Sequence, residues 1–452
     1  MFGFDEQTDR LAEAVIAYAL ERVRMDPPPL DHPQTIEALR ASVGDTVTEA
    51  GIGWEEALRR FSELLAPATL SVDHPRFLAF VPAAPTEAAV LFDLVVGASS
   101  IYAGSWMEGG GAVFAENQAL AWLASLAGMP ESAGGVFLSG GSAGNLSALV
   151  AARHAARTRA AAAGAGLRPS AVVASSGAHS SIVSAARVMD ADVVEVPADE
   201  RGRLTGDALR RVLAARGHAD VFAVVATAGT TNLGIVDDLA GVSAACRDHG
   251  IWFHVDGAYG GAALAAPSVR HLFDGIEDAD SFVVDPHKWL FAPFDCAALL
   301  YRDPEAARQA HTQKASYLDV LQEHDEWNPS DFAYHLSRRA RGLPFWFSLA
   351  THGTAAYSAA VESTLATTRA GAELIRAATH LELVLEPELS VLLFRRVGWS
   401  QQEYQRWSDA ILDAGEAFVV PTSWKGETLL RLCLVNPQTT VDDLAWIVDS
   451  LG

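Results

Sequence analysis

Between about residue 135 and residue 301, short apolar runs alternate with stretches of helical composition. The runs lie at 136–138, 171–174, 193–196, 221–226, 251–255, 281–284 and 297–301. Most are rich in β-branched or aromatic residues and too short for helices. This alternation predicts an α/β domain around a mostly parallel, buried sheet. In such sheets ligands bind beyond the carboxyl ends of the strands. Residues that carry chemistry are therefore sought just after each run.

Four groups stand at such positions. The first, Ser139-Gly140-Gly141-Ser142-Ala143-Gly144-Asn145, follows a strand and opens a helix. Backbone N–H groups and the helix dipole at such a start can receive a phosphate or carboxylate. No G-K-[ST] follows, so it is not a Walker loop; a plain glycine-rich turn is the alternative. The second is His179, which could stack on a planar ligand or move a proton, or be a structural residue. The third is Asp256, at the end of an apolar strand and followed by Gly257-Ala258-Tyr259-Gly260-Gly261. A carboxylate buried there needs a partner, and the small residues admit something flat; capping a turn is the alternative. The fourth is Lys288 in Asp285-Pro286-His287-Lys288-Trp289-Leu290. Desolvation is expected to lower its pKa and make the amine a nucleophile for a carbonyl; a snorkelling surface lysine is the alternative. Lysine chemistry has few candidates, since only Lys288, Lys314 and Lys425 occur. An anion cradle, a stacking histidine, a carboxylate for a ring nitrogen and a Schiff-base lysine are together what pyridoxal 5'-phosphate (PLP) requires.

Composition removes other classes. The formal charge of −23 argues against nucleic-acid and membrane-surface binding. The cysteines, Cys246, Cys296 and Cys433, are widely spaced and are expected to be reduced core residues of a cytoplasmic protein. Neither a signal peptide nor an apolar run of membrane-spanning length is evident. No H-E-x-x-H or Cys/His ligand spacing occurs, so no metal is expected.

Three regions are expected. Residues 1–69 form a helical arm with little core of its own, which would lie on another surface such as a partner subunit. Residues 70–345 form the large α/β domain. Residues 346–452 form a small α+β domain, with strands near 382–385, 391–396 and 428–434 and a last helix at 440–450.

The segments HPRFLAFVP (74–82), GVFLSGGSAGNLSALVAAR (135–153), AHSS (178–181), ATAGTTNLG (226–234), HVDGAYGG (254–261), DPHKWL (285–290), LSRRARGL (336–343) and LRLCLVNPQTT (430–440) resemble the group II PLP-dependent amino-acid decarboxylases. That family includes aromatic-L-amino-acid, histidine and glutamate decarboxylases. The resemblance implies the PLP-dependent transferase fold type I and a homodimer with its site at the subunit interface. It implies that Lys288 binds the cofactor covalently and that Asp256 keeps the ring nitrogen protonated. His179 would stack on the ring with Ala258 on its other face, and Thr231 would lie beside it. Gly141, Ser142 and His287 would hold the phosphate. In the family a loop tyrosine returns a proton after CO₂ leaves; here the loop spans roughly 312–337, and Tyr334 is the expected donor, with Tyr317 as an alternative. Were Phe332 at that position, the family precedent is an aldehyde synthase. Phe80, Val81 and Pro82 match an apolar substrate wall. Gly104 stands where the animal enzymes have a bulky aromatic and is expected to leave room. Gly144 stands where a glutamate is frequent, so a local hydrogen bond is expected to be missing. Asp285 stands where some members have Asn and is expected to stay out of the phosphate site. The expected reaction converts an aromatic L-amino acid to its amine and CO₂. Oxidative decarboxylation, transamination, lyase chemistry and a non-catalytic scaffold are the alternatives.

Overall fold

The structure, a computed structural model, describes residues 3–164, 169–313 and 326–452. All the expected runs between 135 and 301 are strands: β1 (Gly134–Leu138), β2 (Ala171–Ser175), β3 (Asp192–Val196), β4 (Val221–Thr227), β5 (Trp252–Asp256), β6 (Ser281–Val284) and β7 (Ala297–Tyr301). They form one sheet in the order β1-β7-β6-β5-β4-β2-β3. Only β7 runs against its neighbours; the β6–β5–β4–β2–β3 pairs are parallel. The carboxyl ends of β1, β2, β4, β5 and β6 therefore share one edge.

Strands β2, β4, β5, β6 and β7 are buried along their whole length. That explains why they read as continuous apolar runs rather than alternating ones. The two faces still sort by period two. Val172 and Ala174 face one core, beneath helices α6 (Gly141–Ala162) and α7 (Ser180–Val188). Ala171 and Val173 face the other, beneath α5 (Trp106–Leu126), α8 (Gly206–Arg216) and α9 (Leu239–His249). Helices α10 (Pro286–Trp289) and α11 (Pro304–His311) follow β6 and β7.

The amino-terminal helices α1 (Glu6–Val23), α2 (Ile36–Val43) and α3 (Trp54–Arg60) contain no buried residue. Their contacts are sparse: the Tyr18 ring meets the Phe61 edge at 5.8 Å, and Arg22 pairs with Asp73 at 2.8 Å. Helix α4 (Glu87–Ser99) packs on α12 (Leu343–His352), which leads into α13 (Thr354–Ala377).

The carboxyl-terminal unit is a four-stranded sheet of order β10-β11-β9-β8, with β8 (Leu381–Leu385), β9 (Val391–Arg396), β10 (Pro421–Trp424) and β11 (Glu427–Cys433). Three of these strands were expected; β10, which opens on a proline and carries polar residues, was not. Helix α14 (Gln401–Asp413), also unforeseen, is held by a capping box between Ser400 and Glu403. Helix α15 (Val441–Ser450) closes the chain. Residues 77–79, inside the span read as the large domain, bind this unit: Leu78 N–H donates to Phe418 O and Cys433 N–H donates to Leu78 O, both at 2.9 Å. All three cysteines are buried and unpaired. Among the described residues no helix is long and apolar enough to cross a membrane, and no His/Cys/Asp/Glu cluster could hold a metal.

A buried ion pair ties α5 to the segment before α12. Arg338 donates to both oxygens of Glu116 at 2.7 and 3.0 Å and to Ala103 O at 2.7 Å, while Gly342 N–H donates to Glu116 at 2.8 Å. Removing one partner would strand a charge out of water, so Glu116→Ala should cost about 3–5 kcal/mol. A denaturant titration should show a lower midpoint with an unchanged slope; a midpoint within error of the parent would refute the assignment.

Candidate active site

The ends of β1, β2, β4, β5 and β6 meet around a cavity of about 250 Å³. Every residue expected to bind the cofactor lines it: Gly141, Ser142, His179, Thr231, Asp256, Ala258, His287 and Lys288. The pairing of β5 with β6 explains the long step between Asp256 and Lys288. Asp256 sits opposite Val283 in register, and the one-turn helix α10 follows β6 directly.

Asp256 is buried. Its Oδ1 accepts from Ala258 N–H at 3.1 Å and its Oδ2 from the Asn145 amide at 2.8 Å. Asn145 belongs to a longer hydrogen-bonded chain whose polarity is set by its ends. Trp252 Nε1–H can only donate, and it meets Ser281 Oγ at 2.8 Å. Ser281 then donates to His254 Nδ1 at 2.8 Å, and His254 Nε2–H donates to Asn145 Oδ1 at 2.9 Å. The Asn145 amide nitrogen donates to Asp256 and, at 2.9 Å, to Ser181 Oγ. Ser181 donates in turn to His179 Nδ1 at 2.9 Å. The N–H of Ser181 also reaches that nitrogen at 3.2 Å, because His179 is the N-cap of α7. Nδ1 is thus an acceptor, and a neutral His179 carries its proton on Nε2. One network orients both the carboxylate and the imidazole of the site.

Asn145, Ser181 and His254 were not foreseen as site residues. The available signal was a polar residue within a wholly apolar strand, as His254 is in β5, since such a residue must find a partner. Gly144 is packed against Val283: a Cβ there would come within 2.6 Å of Val283 Cγ2. A larger side chain would not fit this backbone position.

Lys288 departs from expectation. Burial pulls its amine down, but the charge and hydrogen bond of Asp285, with the charge of Asp256, outweigh that and raise its pKa. The ammonium lies 2.8 Å from Asp285 Oδ2. Asp285, expected to stay outside the phosphate site, instead lies in the cradle, where Gly141 N–H donates to its Oδ2 at 3.2 Å. His287 accepts Cys296 N–H on Nδ1 at 3.0 Å, which leaves Nε2–H as its donor, 3.7 Å from Asp285. Burial lowers the His287 pKa, so this ring is neutral near pH 7.

Other motif residues brace the site. Tyr259 stacks on Trp289 at 5.3 Å, and its hydroxyl meets Ser390 Oγ at 2.5 Å, joining the two sheets. Arg431, also unforeseen, is buried on β11. It donates to Thr231 O at 2.7 Å and to Phe80 O at 2.6 Å. Its Nη2 has no hydrogen-bond partner among the described residues.

The expected substrate residues do not line this cavity. Phe80 is 62% exposed and 5.9 Å from the Phe418 ring; it approaches the site only through Arg431. Pro82 is buried. The space beside Gly104 is not free: a Cβ there would come within 2.6 Å of Leu336 O and would also strike the Tyr102 ring, whose hydroxyl donates to that same carbonyl at 3.1 Å. The room expected at Gly104 is filled by Tyr102. Phe294, 54% exposed, lines the cavity and lies 4.8 Å from the His287 ring. Tyr334 is 53% exposed, packs on His335, and does not line this cavity. Phe332 is fully buried and stacks on Trp327 at 4.1 Å. Tyr317 lies outside the described residues.

The donor set fits pyridoxal phosphate. Gly141 presents its N–H to an anion, and a Cβ there would come within 3.0 Å of Asp285 and 2.9 Å of Ala258. A fixed carboxylate, a fixed imidazole and a primary amine surround the same cavity.

The buried network should make stability depend on pH. Burial holds the His254 pKa well below its unfolded value of about 6.5. The neutral imidazole's contribution is therefore full above about pH 6.5 and is lost as the pH falls below it. His254→Gln should make stability less steep in pH below that value, by up to about 1.4 kcal/mol per pH unit. Urea titrations across that range measure the slope; an unchanged slope would refute the neutral assignment.

Comparison with known proteins gives a consistent result. A family described as "Pyridoxal-dependent decarboxylase conserved domain" matches residues 37–397. An aromatic-L-amino-acid decarboxylase of Bacillus atrophaeus is 30% identical over 92% of this chain and 88% of its own. An L-2,4-diaminobutyrate decarboxylase of Rhizobium meliloti is 31% identical over 90% and 83%. Among solved structures, Oryza sativa TDC with PLP and tryptamine superposes with a TM-score of 0.89 at 25% identity, covering 99% of both chains. Mouse CSAD superposes at 0.90 with 26% identity over 99% and 98%.

Proposed function

The chain belongs to the pyridoxal-dependent decarboxylase family, and from that premise we propose that its substrate is an aromatic L-amino acid, released as the amine and CO₂. The observation that carries the substrate reading is Phe294, an exposed ring on the cavity wall beside His287. Phe80, joined to Thr231 through Arg431, adds a second exposed ring near the site. The relatives at about 30% identity act, by name, on aromatic amino acids and on 2,4-diaminobutyrate. A second ammonium group would call for a carboxylate of its own, whereas Asp256 and Asp285 already have partners.

Bound pyridoxal phosphate supplies an electron-accepting ring for the pair released when the Cα–carboxylate bond breaks. The chain's residues supply position and protons. Gly141, Ser142 and His287 would hold the phosphate, and Lys288 would provide the covalent attachment. Asp256, fixed by Asn145 and Ala258, keeps the ring nitrogen protonated. His179, fixed by Ser181, and Ala258 would hold the ring between them. Arg431, which ties Thr231 and Phe80 to β11, positions that side of the site. Tyr334 returns the proton to Cα; its exposure and its absence from this cavity's wall fit action in the site of a second copy of the chain.

A panel of aromatic amino acids, 2,4-diaminobutyrate and acidic amino acids, assayed for CO₂, amine, aldehyde and keto acid, tests the reaction. CO₂ and amine in equal amounts from an aromatic member are expected. Turnover confined to 2,4-diaminobutyrate would reject the substrate reading, and keto acid without CO₂ would reject decarboxylation.

Tyr334→Phe should lower amine formation by about 10²-fold or more, the usual contribution of a positioned proton donor. Co-expressing Lys288→Ala with Tyr334→Phe should restore activity that neither variant has alone, because mixed dimers contain one intact site. No restoration in demonstrated mixed dimers would place the tyrosine in its own chain's site or remove it from the reaction.

A further inference from the structure

Asp285 is 1% exposed and places one oxygen, Oδ2, against three donors: the Lys288 ammonium at 2.8 Å, the Gly141 N–H at 3.2 Å and His287 Nε2 at 3.7 Å. Its other oxygen, Oδ1, is buried with no hydrogen-bond partner among the described residues. Gly141 opens α6, a helix of 22 residues, so the carboxylate lies where the amino-terminal dipole favours an anion. A Cβ on Gly141 would touch both carboxylate oxygens, at 3.0 and 3.1 Å, which shows how closely the cradle fits around them.

A phosphate using the same N–H must share this cradle with a buried carboxylate. Covalent attachment of the cofactor to Lys288 also alters the carboxylate's closest counter-ion. Other groups face the pair; one is Cys433 on β11, a thiol kept neutral because burial raises its pKa. His287 shares the helical turn and is kept neutral by burial. Asp256, at the end of β5, acts on Lys288 from the far side and adds negative charge. Cys296 and Asp295 come from the following segment; burial raises the Cys296 thiol well above its usual value, so it stays neutral. Apart from Lys288, these groups leave no cation to balance a second anion.

We propose that Asp285 couples cofactor binding to proton uptake: as the phosphate enters the cradle, Asp285 takes one proton from solvent, and its carboxylic acid donates a hydrogen bond to a phosphate oxygen. No electrons move, and one O–H bond forms. The buried Oδ1, unpartnered beside the cradle, is the atom placed to carry that proton. Asp285 is thus a positioning residue for the phosphate, and the chain loads phosphorylated cofactor more tightly as the pH falls. This rests on the reading of Lys288 and Gly141 as the cofactor's attachment point and cradle.

The test measures binding of pyridoxal 5'-phosphate, and of pyridoxal as the unphosphorylated control, to the full chain and to Asp285→Asn and Asp285→Ser. Affinities across pH 6–8.5, with calorimetry in buffers of differing ionisation enthalpy, give the protons taken up. The parent should take up about one proton more than either variant on binding the phosphorylated form. Its affinity should fall with rising pH relative to theirs by up to about tenfold per unit. Asparagine, which can donate without a proton from solvent, should bind the phosphorylated form more tightly than the parent at the alkaline end. With pyridoxal, where only Asp285's hold on the Lys288 ammonium enters, the difference between parent and variants should be smaller by about one proton. Equal proton uptake and parallel pH profiles for the phosphorylated form would overturn the proposal while leaving the cofactor reading intact. Failure of the parent to bind pyridoxal phosphate at any pH would overturn both. A circular-dichroism spectrum matching the parent's excludes misfolding as the source of either variant's behaviour.

Discussion

Parallel pairing of β5 with β6 is the constraint on which the site depends. It places Asp256 at the edge where β6 ends and the turn bearing Lys288 begins. Two strands and one crossover set a carboxylate and an amine around one cavity, although the sequence separates them by a complete structural unit. The antiparallel β7, between β6 and β1, returns the chain so that the glycine turn after β1 opens on the same edge. Burial of both sheet faces then fixes the strand ends against relative movement.

Within that frame the polar groups are held by one another. The chain from Trp252 through Ser281, His254 and Asn145 has a defined donor direction at each link and ends on Asp256 and His179. Such a network costs nothing in unsatisfied groups and leaves each side chain one orientation. Around Lys288 the balance is different. Burial alone would weaken the ammonium, yet Asp285 holds it charged. The amine is stored as an ion pair and has to give up a proton before it can attack a carbonyl. Asp285 therefore acts on both ends of the cofactor site, on the amine and on the cradle.

Much of this was legible in the sequence for a physical reason. A parallel sheet covered on both faces writes itself as short β-branched runs, and every such run between 135 and 301 is a strand. The groups at Gly141, His179, Asp256 and Lys288 were legible because strand ends on one edge must converge; Thr231, Ala258 and His287 came from the family resemblance, and all of them line one cavity. The strand β10 was not, since proline and polar residues at a sheet edge carry no apolar signature. Helix α14 was missed although Ser400 and Glu403 announce its start. Gly104 misled because an absent side chain says nothing about which neighbour fills the space; Tyr102 does. That Asp285 meets both Lys288 and the Gly141 N–H was not legible, because the turn after β6 and the turn after β1 come together only in the fold. Arg431 reaches the site from a different sheet, a contact that only the fold reveals.

The proposed chemistry rests on one covalent bond, from the cofactor to Lys288 rather than to either of the chain's other lysines. Borohydride reduction of the cofactor-loaded chain, followed by proteolysis and mass spectrometry, measures it directly. A single pyridoxyl group is expected on the peptide bearing Lys288 and none on peptides bearing Lys314 or Lys425. A reduced chain carrying the group elsewhere, or carrying none after saturation with pyridoxal phosphate, would contradict it.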